Sequence, residues 1–212
     1  MNKLYKIILI IIMVSFPKFL LSADMVGYLM DQAEQEYNEK NYSKAYTALQ
    51  NIAPTGHPKA IYLLGNMYLE GLGIDKNYQK AYTSLQNIAP TGNPKAIYLL
   101  GTMYLEGLGI DKNYEVAHEM ILFASQNLYK NNKIMASEAQ NILSEMYKKG
   151  IGTIKNNIEA YKWSYIANIA GNTNSLNLLS NLKSLISEEE EILAIKEAKL
   201  FLSKISNKED NQ

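Results

Sequence analysis

The feature that most constrains this fold is a stretch of 36 residues that occurs twice in succession, almost unchanged. Residues 42–77 and 78–113 differ at four positions only, the pairs Ser43/Gln79, Ala48/Ser84, His57/Asn93 and Asn66/Thr102. A weaker copy follows at 114–156, with about seven extra residues near 126–133, and a fourth copy begins at 157. This period is typical of solenoids, in which each unit buries its apolar face only against its neighbours.

Each unit is predicted to contain two helices. Asn77 stands where an N-cap is expected, and Pro90 ends the helix that follows it. Asn93 is predicted to cap the second helix, which runs to about Glu106 and ends in the Gly-Leu-Gly loop at 107–109. Within that helix, apolar and small residues recur at spacings of three and four, so they share one face, namely Ala96, Leu100, Met103 and Gly107. The sequence therefore predicts an all-α fold, an α-solenoid of antiparallel helix pairs.

The second helix of the unit carries the clearest family signal. The run AIYLLGTMY at 96–104, the glycines of the following loop and the AYKW run at 160–163 resemble the Sel1-like repeat, a relative of the tetratricopeptide repeats. The resemblance extends over roughly residues 42–186 and departs locally, since Ser144 and Ser180 stand where Gly101 stands in the second unit. It implies a superhelical scaffold that holds protein partners, closed by a C-terminal capping helix.

These patterns divide the chain into an export segment, a repeat array and a C-terminal cap. The predicted segments are a signal peptide at 1–23, an N-terminal half-repeat helix at 24–41, repeats at 42–77, 78–113, 114–156 and 157–186, a capping helix at 187–205 and a disordered tail at 206–212. In the cap, the run Ser187-Glu188-Glu189-Glu190-Glu191 is interpreted as a capping box, with Ser187 as N-cap and Glu190 at the third helical position.

The first 23 residues have the layout of a secretory signal peptide. Lys3 and Lys6 precede an apolar run at 7–16, and Ser22-Ala23 offers small residues before Asp24. The run is shorter than the roughly 20 residues of a membrane span, so no stable span is expected after cleavage. An uncleaved N-terminal anchor is the alternative. Cleavage predicts an exported protein, periplasmic in preference to secreted.

Composition excludes several classes of function. The chain has no cysteine, two histidines and no arginine, and its 21 lysines balance 21 acidic residues. Thiolate chemistry, guanidinium clamps and a basic footprint for nucleic acid are therefore absent. We predict no cofactor, no metal site and no catalytic residues. Some Sel1-like proteins are described as hydrolysing β-lactams, but those are rich in cysteine, and this chain is predicted not to be an enzyme.

One stripe of residues is a candidate partner-binding surface. It lies away from the face that carries Leu100, and the first two repeats present it almost identically; its members are Tyr62, Leu63, Asn66, Leu69, Tyr98, Leu99, Thr102 and Leu105. Tyrosine is a common interface anchor, so the stripe predicts a groove for an apolar peptide or helix. The alternative is that tight superhelical packing buries these side chains.

The function predicted from the sequence is that of a non-catalytic exported scaffold that binds a protein or peptide. The alternative is an envelope protein that binds polysaccharide or its synthesis machinery, which the 16 tyrosines keep open. The identity of the partner and the oligomeric state do not follow from the sequence.

Overall fold

The computed structural model describes residues 23–130 and 132–207, with side chains as far as 205. These ranges contain ten α-helices and no β-strand, and short 3-10 turns follow α2 and α4 at Ala53–Thr55 and Ala89–Thr91. The prediction of an all-α solenoid is confirmed. The helices are α1 Ala23–Asn38, α2 Tyr42–Ile52, α3 Pro58–Glu70, α4 Tyr78–Ile88, α5 Pro94–Glu106, α6 Tyr114–Asn127, α7 Lys133–Lys149, α8 Asn157–Ile169, α9 Asn174–Lys183 and α10 Glu188–Asn207.

Asparagine caps determine where most of the repeat helices begin. The side chain of Asn77 accepts a hydrogen bond from the backbone of Lys80, and Asn113 and Asn156 do the same at the starts of α6 and α8. Asn93 caps α5, as the sequence predicted. His57 occupies the equivalent position before α3, but its side chain makes no capping bond. The N-terminus of α3 therefore has two fewer capped backbone amides than that of α5, where Asn93 accepts from both Lys95 and Ala96.

Consecutive helices pack on one another, and small residues at the crossings bring their axes close together. A Cβ added to Gly65 in α3 would lie 2.8 Å from the side chain of Leu85 in α4. One repeat later, a Cβ added to Gly101 in α5 would lie 2.9 Å from Ile121 in α6. Ser144 takes this position in α7, and its hydroxyl donates to the carbonyl of Ala160 at 2.6 Å. A small residue is thus required at each crossing, and serine is tolerated where it finds an acceptor.

The Gly-Leu-Gly and Gly-Ile-Gly loops hold each helix pair against the previous one. Gly152 has a φ of +66°, and a Cβ at this position would lie 1.9 Å from the backbone oxygen of Tyr114. Gly109 makes the same approach to Tyr78, at 2.6 Å from its carbonyl carbon. Both the positive φ and the close approach exclude larger residues.

The C-terminal helix departs from the repeat pattern. Each earlier helix packs closely on the helix just before it, whereas α10 makes its main contact with α8. Trp163 meets Phe201 edge to face at 5.3 Å, and Lys162 pairs with Glu197 at 3.3 Å. The predicted capping box is present, since the Ser187 amide donates to Glu190 at 2.8 Å and the Glu190 amide to Ser187 at 3.2 Å. Helix α10 therefore covers the last repeat.

Two predicted segments fall largely outside the described residues. The signal peptide covers 1–23, of which only Ala23 is described, and the predicted tail covers 206–212, of which 206 and 207 belong to α10. Among the described residues, no helix is both long enough and apolar enough to cross a membrane.

Candidate partner-binding groove

The predicted stripe is divided between the core and the surface. Four of its side chains are buried, with exposed fractions of 5–8% for Leu63, Leu69, Tyr98 and Leu99. The other four, Tyr62, Asn66, Thr102 and Leu105, are half-buried. The alternative of burial by tight packing therefore applies to the first four, because α1 contacts α3 and α7 contacts α5. The role of the stripe in binding stays a prediction, and its four buried members are not available as surface anchors.

The polar groups of the stripe already have partners within the chain. Asn66 donates to the hydroxyl of Tyr37 at 2.7 Å, and Thr102 donates to the carbonyl of Leu99 at 2.8 Å. The Tyr98 hydroxyl donates to Glu138 at 3.3 Å, and burial together with this carboxylate raises the pKa of Tyr98 well above its usual value. Burial raises the pKa of Tyr62 to about 12. These groups are neutral and mostly satisfied, which is typical of a structural role.

A second surface emerges when the capped helices α4, α6 and α8 are compared position by position. Their buried positions are equivalent: the fourth residue after the capping asparagine is a buried alanine in each helix, namely Ala81, Ala117 and Ala160. Seven and ten residues after the cap, α4 carries the polar pair Ser84 and Asn87. At the same positions, α6 carries the apolar pair Met120 and Phe123, and α8 carries Trp163 and Ile166. The surface of the array therefore changes from polar to apolar at α6.

Met120 and Phe123 border a groove of about 340 Å³ between α4 and α6. The side of α5 forms its floor, and Phe123 remains 38% exposed at its edge. Its other lining residues are Tyr82, Gln86, Ala89, Pro90, Ile97, Leu100, Tyr104 and Glu119. An apolar groove with a few polar groups at its rim is suited to an amphipathic helix or an apolar peptide.

The polar rim of the groove is built from a pair of tyrosines. The hydroxyls of Tyr82 and Tyr104 are 3.1 Å apart, their rings meet edge to face at 6.1 Å, and Gln86 donates to Tyr82 at 3.0 Å. The hydrogen bond with Tyr82 and burial raise the pKa of Tyr104 to about 12, so the Tyr104 phenol is neutral near pH 7. The pair offers hydroxyl groups for hydrogen bonds beside an apolar surface.

The same pairing recurs along the array. Tyr46 and Tyr68 form it one repeat earlier, with hydroxyls 2.9 Å apart. One repeat later the tyrosine of the capped helix is replaced by His118, whose ring meets Tyr147 at 5.1 Å. Burial lowers the pKa of His118, so its ring is neutral near pH 7. His118 thus takes the position of the tyrosine in this repeat and keeps its contact with an aromatic ring.

In the described part of the chain, no helix lies over the positions of Met120 and Phe123 in α6, whereas the equivalent positions in α8 are covered by α10. Trp163 is 3% exposed and Ile166 is fully buried, and both belong to one apolar cluster with Ala198, Phe201 and Leu202 of α10. At the same surface, Glu197 pairs with Lys162, the residue equivalent to Glu119. The chain itself therefore shows how a helix binds to this surface of the repeat.

No arrangement of metal ligands accompanies these surfaces. Among residues 23–130 and 132–205, no three histidine or carboxylate side chains converge as a metal site requires. The four consecutive glutamates that begin α10 are used locally: Glu190 closes the capping box, and Glu191 accepts from Tyr161 at 2.6 Å.

Stacked helix pairs of about 36 residues, with loops closed by paired glycines, define an α-solenoid of the class that contains the tetratricopeptide-like repeats. The family model for the Sel1 repeat matches residues 58–83, 94–127 and 137–172. The chain belongs to the Sel1 repeat family, whose fold typically serves as a scaffold for protein–protein interaction. The matched units begin at α3, α5 and within α7, so the family divides the array one helix later than our sequence-based boundaries do.

Two solved structures share this fold. One is a Sel1 repeat protein from Oxalobacter formigenes, with a TM-score of 0.62 and 26% identity over 82% of this chain and 74% of that one. The other is a protective antigen present in uropathogenic Escherichia coli strains, with a TM-score of 0.56 and 19% identity over 76% of this chain and 41% of that one. This chain thus spans less than half of the antigen, whose likeness concerns the fold alone. No curated protein matches this chain in sequence.

The groove at Met120 and Phe123 was not among the sequence-predicted sites. A signal for it exists in the sequence, because both residues stand at positions where the preceding repeat has Ser84 and Asn87. The repeats are almost identical on α3 and α5, and they differ at the outer positions of α4 and α6. The stripe and the groove both use α5, but only the groove leaves a large apolar side chain accessible.

Proposed function

We propose that this protein is a non-catalytic exported scaffold that binds an amphipathic helix of a protein partner in the groove between α4 and α6. The observation that carries the proposal is the coverage of the equivalent surface one repeat later, where α10 packs on Trp163 and Ile166. The groove presents Met120 and Phe123 at the same two positions with no covering helix among the described residues. A helix with one apolar face fits such a groove through anchors spaced by three and four residues.

The charge at the rim of the groove defines the partner further. Lys162 beside Trp163 pairs with Glu197, which lies four residues before Phe201 in α10. Glu119 takes the place of Lys162 in the groove, so the sign of the charge is reversed. A partner helix that docks as α10 does would carry a lysine or arginine four residues before its aromatic anchor. Like charges at this point would disfavour a segment such as α10 itself.

The test transfers residues from the preceding repeat into α6. The double variant Met120→Ser/Phe123→Asn gives α6 the residues that α4 carries at the same positions, so the helix should still fold. We expect this variant to lose the protein partner that the original chain captures from envelope extract, and Glu119→Lys to retain much less of it. Quantitative mass spectrometry of the captured proteins, with circular dichroism to verify the fold, measures both effects.

A matched control changes an apolar residue outside the groove. Ile154 is 88% exposed in the loop before α8, and Ile154→Asn should capture the same partner as the original chain. Equal recovery of that partner by the groove variant and the control would refute the groove as the binding site. Recovery of glycan or glycan-synthase components, with no protein partner, would favour the polysaccharide alternative.

Export is the second part of the proposal, and it rests on the pattern of Lys3, Lys6 and the apolar run at 7–16. We expect the mature chain to begin at Asp24 and to reside in the periplasm. Cleavage would remove three lysines and no acidic residue, leaving 18 lysines against 21 acids. Intact-mass measurement of the protein from fractionated cells tests this directly, and a mass that includes residues 1–23 would instead indicate an N-terminal anchor.

A further inference from the structure

The outward face of α10 carries apolar side chains that no described residue covers. Ile192, Leu193 and Leu200 are 62%, 46% and 54% exposed, whereas Ala194 and Ala198 on the opposite face are fully buried. Helix α10 therefore carries apolar side chains on both sides. The last unit of a solenoid normally ends in a polar outer face, because nothing stacks on it. Exposed apolar side chains among the charged ones at this place point to a further contact.

The exposed residues of α10 form one narrow stripe. Glu189, Leu193, Lys196, Leu200 and Lys204 follow one another at spacings of four, three, four and four, which places them on one side of the helix. All five are exposed. The stripe begins with an acidic residue, ends with a basic one and has a leucine on each side of its centre. Reversing the stripe therefore places its acidic end opposite its basic end and each leucine opposite a leucine.

We propose that two copies of this chain associate through α10, with the two helices antiparallel about a twofold axis between residues 196 and 197. In this register, Leu193 of each copy faces Leu200 of the other, and Glu189 faces Lys204. A twofold interface uses the same patch on both subunits. One stripe with an acidic end and a basic end can therefore form both halves of the interface.

The charge distribution selects the antiparallel arrangement. Helix α10 begins with Glu188 and Glu189 and carries Lys199 and Lys204 towards its end. A parallel pair would bring glutamates against glutamates and lysines against lysines, whereas the antiparallel pair brings opposite charges together at both ends. Charged groups at a rim mainly determine orientation, and the leucines and Ile192 provide the apolar contact that holds the copies together.

This association goes beyond the scaffold function and does not depend on it. The face of α10 that packs on α8 carries Ala194, Ala198 and Phe201, and the proposed contact uses the opposite face. The groove at Met120 and Phe123 lies on α6 and contains no residue of α10. Two copies joined in this way would present two partner-binding grooves, which increases avidity for a partner that offers two helices.

The association is tested by sedimentation velocity of the purified protein, in the form in which it accumulates in the producing cells. We expect the average mass to rise from that of the monomer to twice that value over concentrations from about 1 to about 100 µM. The full chain has a mass of 23.9 kDa. Leu193→Asp and Leu200→Asp should each remain monomeric throughout. Ile154→Asp, which alters an 88% exposed residue elsewhere, should dimerise as the original chain does.

A charge exchange tests the orientation. Lys204→Glu places two carboxylates against each other at both ends of the interface, and we expect the dissociation constant to rise about tenfold. Adding Glu189→Lys to the same chain should restore it to near the original value. Circular dichroism and the melting temperature of each variant verify that α10 remains folded.

A chain that stays monomeric at all concentrations would overturn the proposal. A dimer that neither Leu193→Asp nor Leu200→Asp dissociates would place the contact elsewhere on the molecule and would also overturn it. If Lys204→Glu weakens the dimer and Glu189→Lys does not restore it, the antiparallel register is wrong. None of these outcomes depends on whether the groove binds a partner.

Discussion

Leu100→Asp is expected to unfold the centre of the repeat array. Leu100 is 1% exposed and belongs to the cluster that joins α4, α5 and α6, so a carboxylate at this position would lie in an apolar interior without a partner. Loss of the leucine contacts and burial of the charge together cost on the order of 5 kcal/mol. For a chain of this size, that corresponds to a fall in melting temperature of roughly 10–20 °C, measurable by circular dichroism or calorimetry.

Lys95→Ala is the matched control on the same helix. The ammonium group of Lys95 lies 5.8 Å from the centre of the Tyr62 ring, so the substitution removes one half-exposed cation–π contact. Such a contact stabilises by about 0.5–1 kcal/mol, and the melting temperature should fall by only a few degrees. Equal shifts for Leu100→Asp and Lys95→Ala would contradict the assignment of Leu100 to the stacking face.

Leu63→Ser and Leu99→Ser are expected to destabilise the protein strongly, both singly and together. Both leucines are 7% exposed, and each change removes buried apolar surface and introduces a hydroxyl that needs a partner. A cost of about 3 kcal/mol for each is expected. The double variant should lose roughly the sum, apart from coupling between neighbouring repeats. Thermal unfolding of the two single variants and the double variant measures these costs without knowledge of the partner.

The same variants decide what the predicted stripe does. If the stripe were a surface groove, the Leu→Ser changes would leave the melting temperature within about 1–2 °C and abolish partner binding. Ile134→Ser is a suitable reference, because Ile134 is 74% exposed at the start of α7 and its replacement should cost under about 0.5 kcal/mol. A stable double variant that no longer binds its partner would restore the stripe as the binding surface and exclude the packing alternative.

The buried surface of α5 illustrates why the spacing of apolar residues was insufficient. That spacing assigns one buried face to a helix, and it correctly placed Ala96, Leu100 and Met103 in the core. In a solenoid, α5 also has neighbours of its own type on each side, and these contacts bury Tyr98 and Leu99 on a second face. The width of the buried surface depends on how closely the units stack, and that distance is a property of the assembled array.

The direction of α10 could not be read from the sequence either. Ser187 and Glu190 correctly mark where the helix begins. The repeat pattern would have placed it against α9, as α8 lies against α7. Instead, Trp163 and Ile166 present an apolar surface on α8, and α10 turns back onto it. The same contact is the basis for the partner helix that we propose for the groove on α6.

The sequence by itself determined the period of the array, the two helices of each unit, their caps and the loops that join them. These features depend on local chemistry: an asparagine side chain caps the next turn, a proline ends a helix and a glycine accepts a positive φ. Only the tertiary structure decided which apolar side chains remain accessible. Burial depends on contacts between units and on the course of α10, so Leu99 became core while Phe123, equally apolar in the sequence, remained at the edge of a groove.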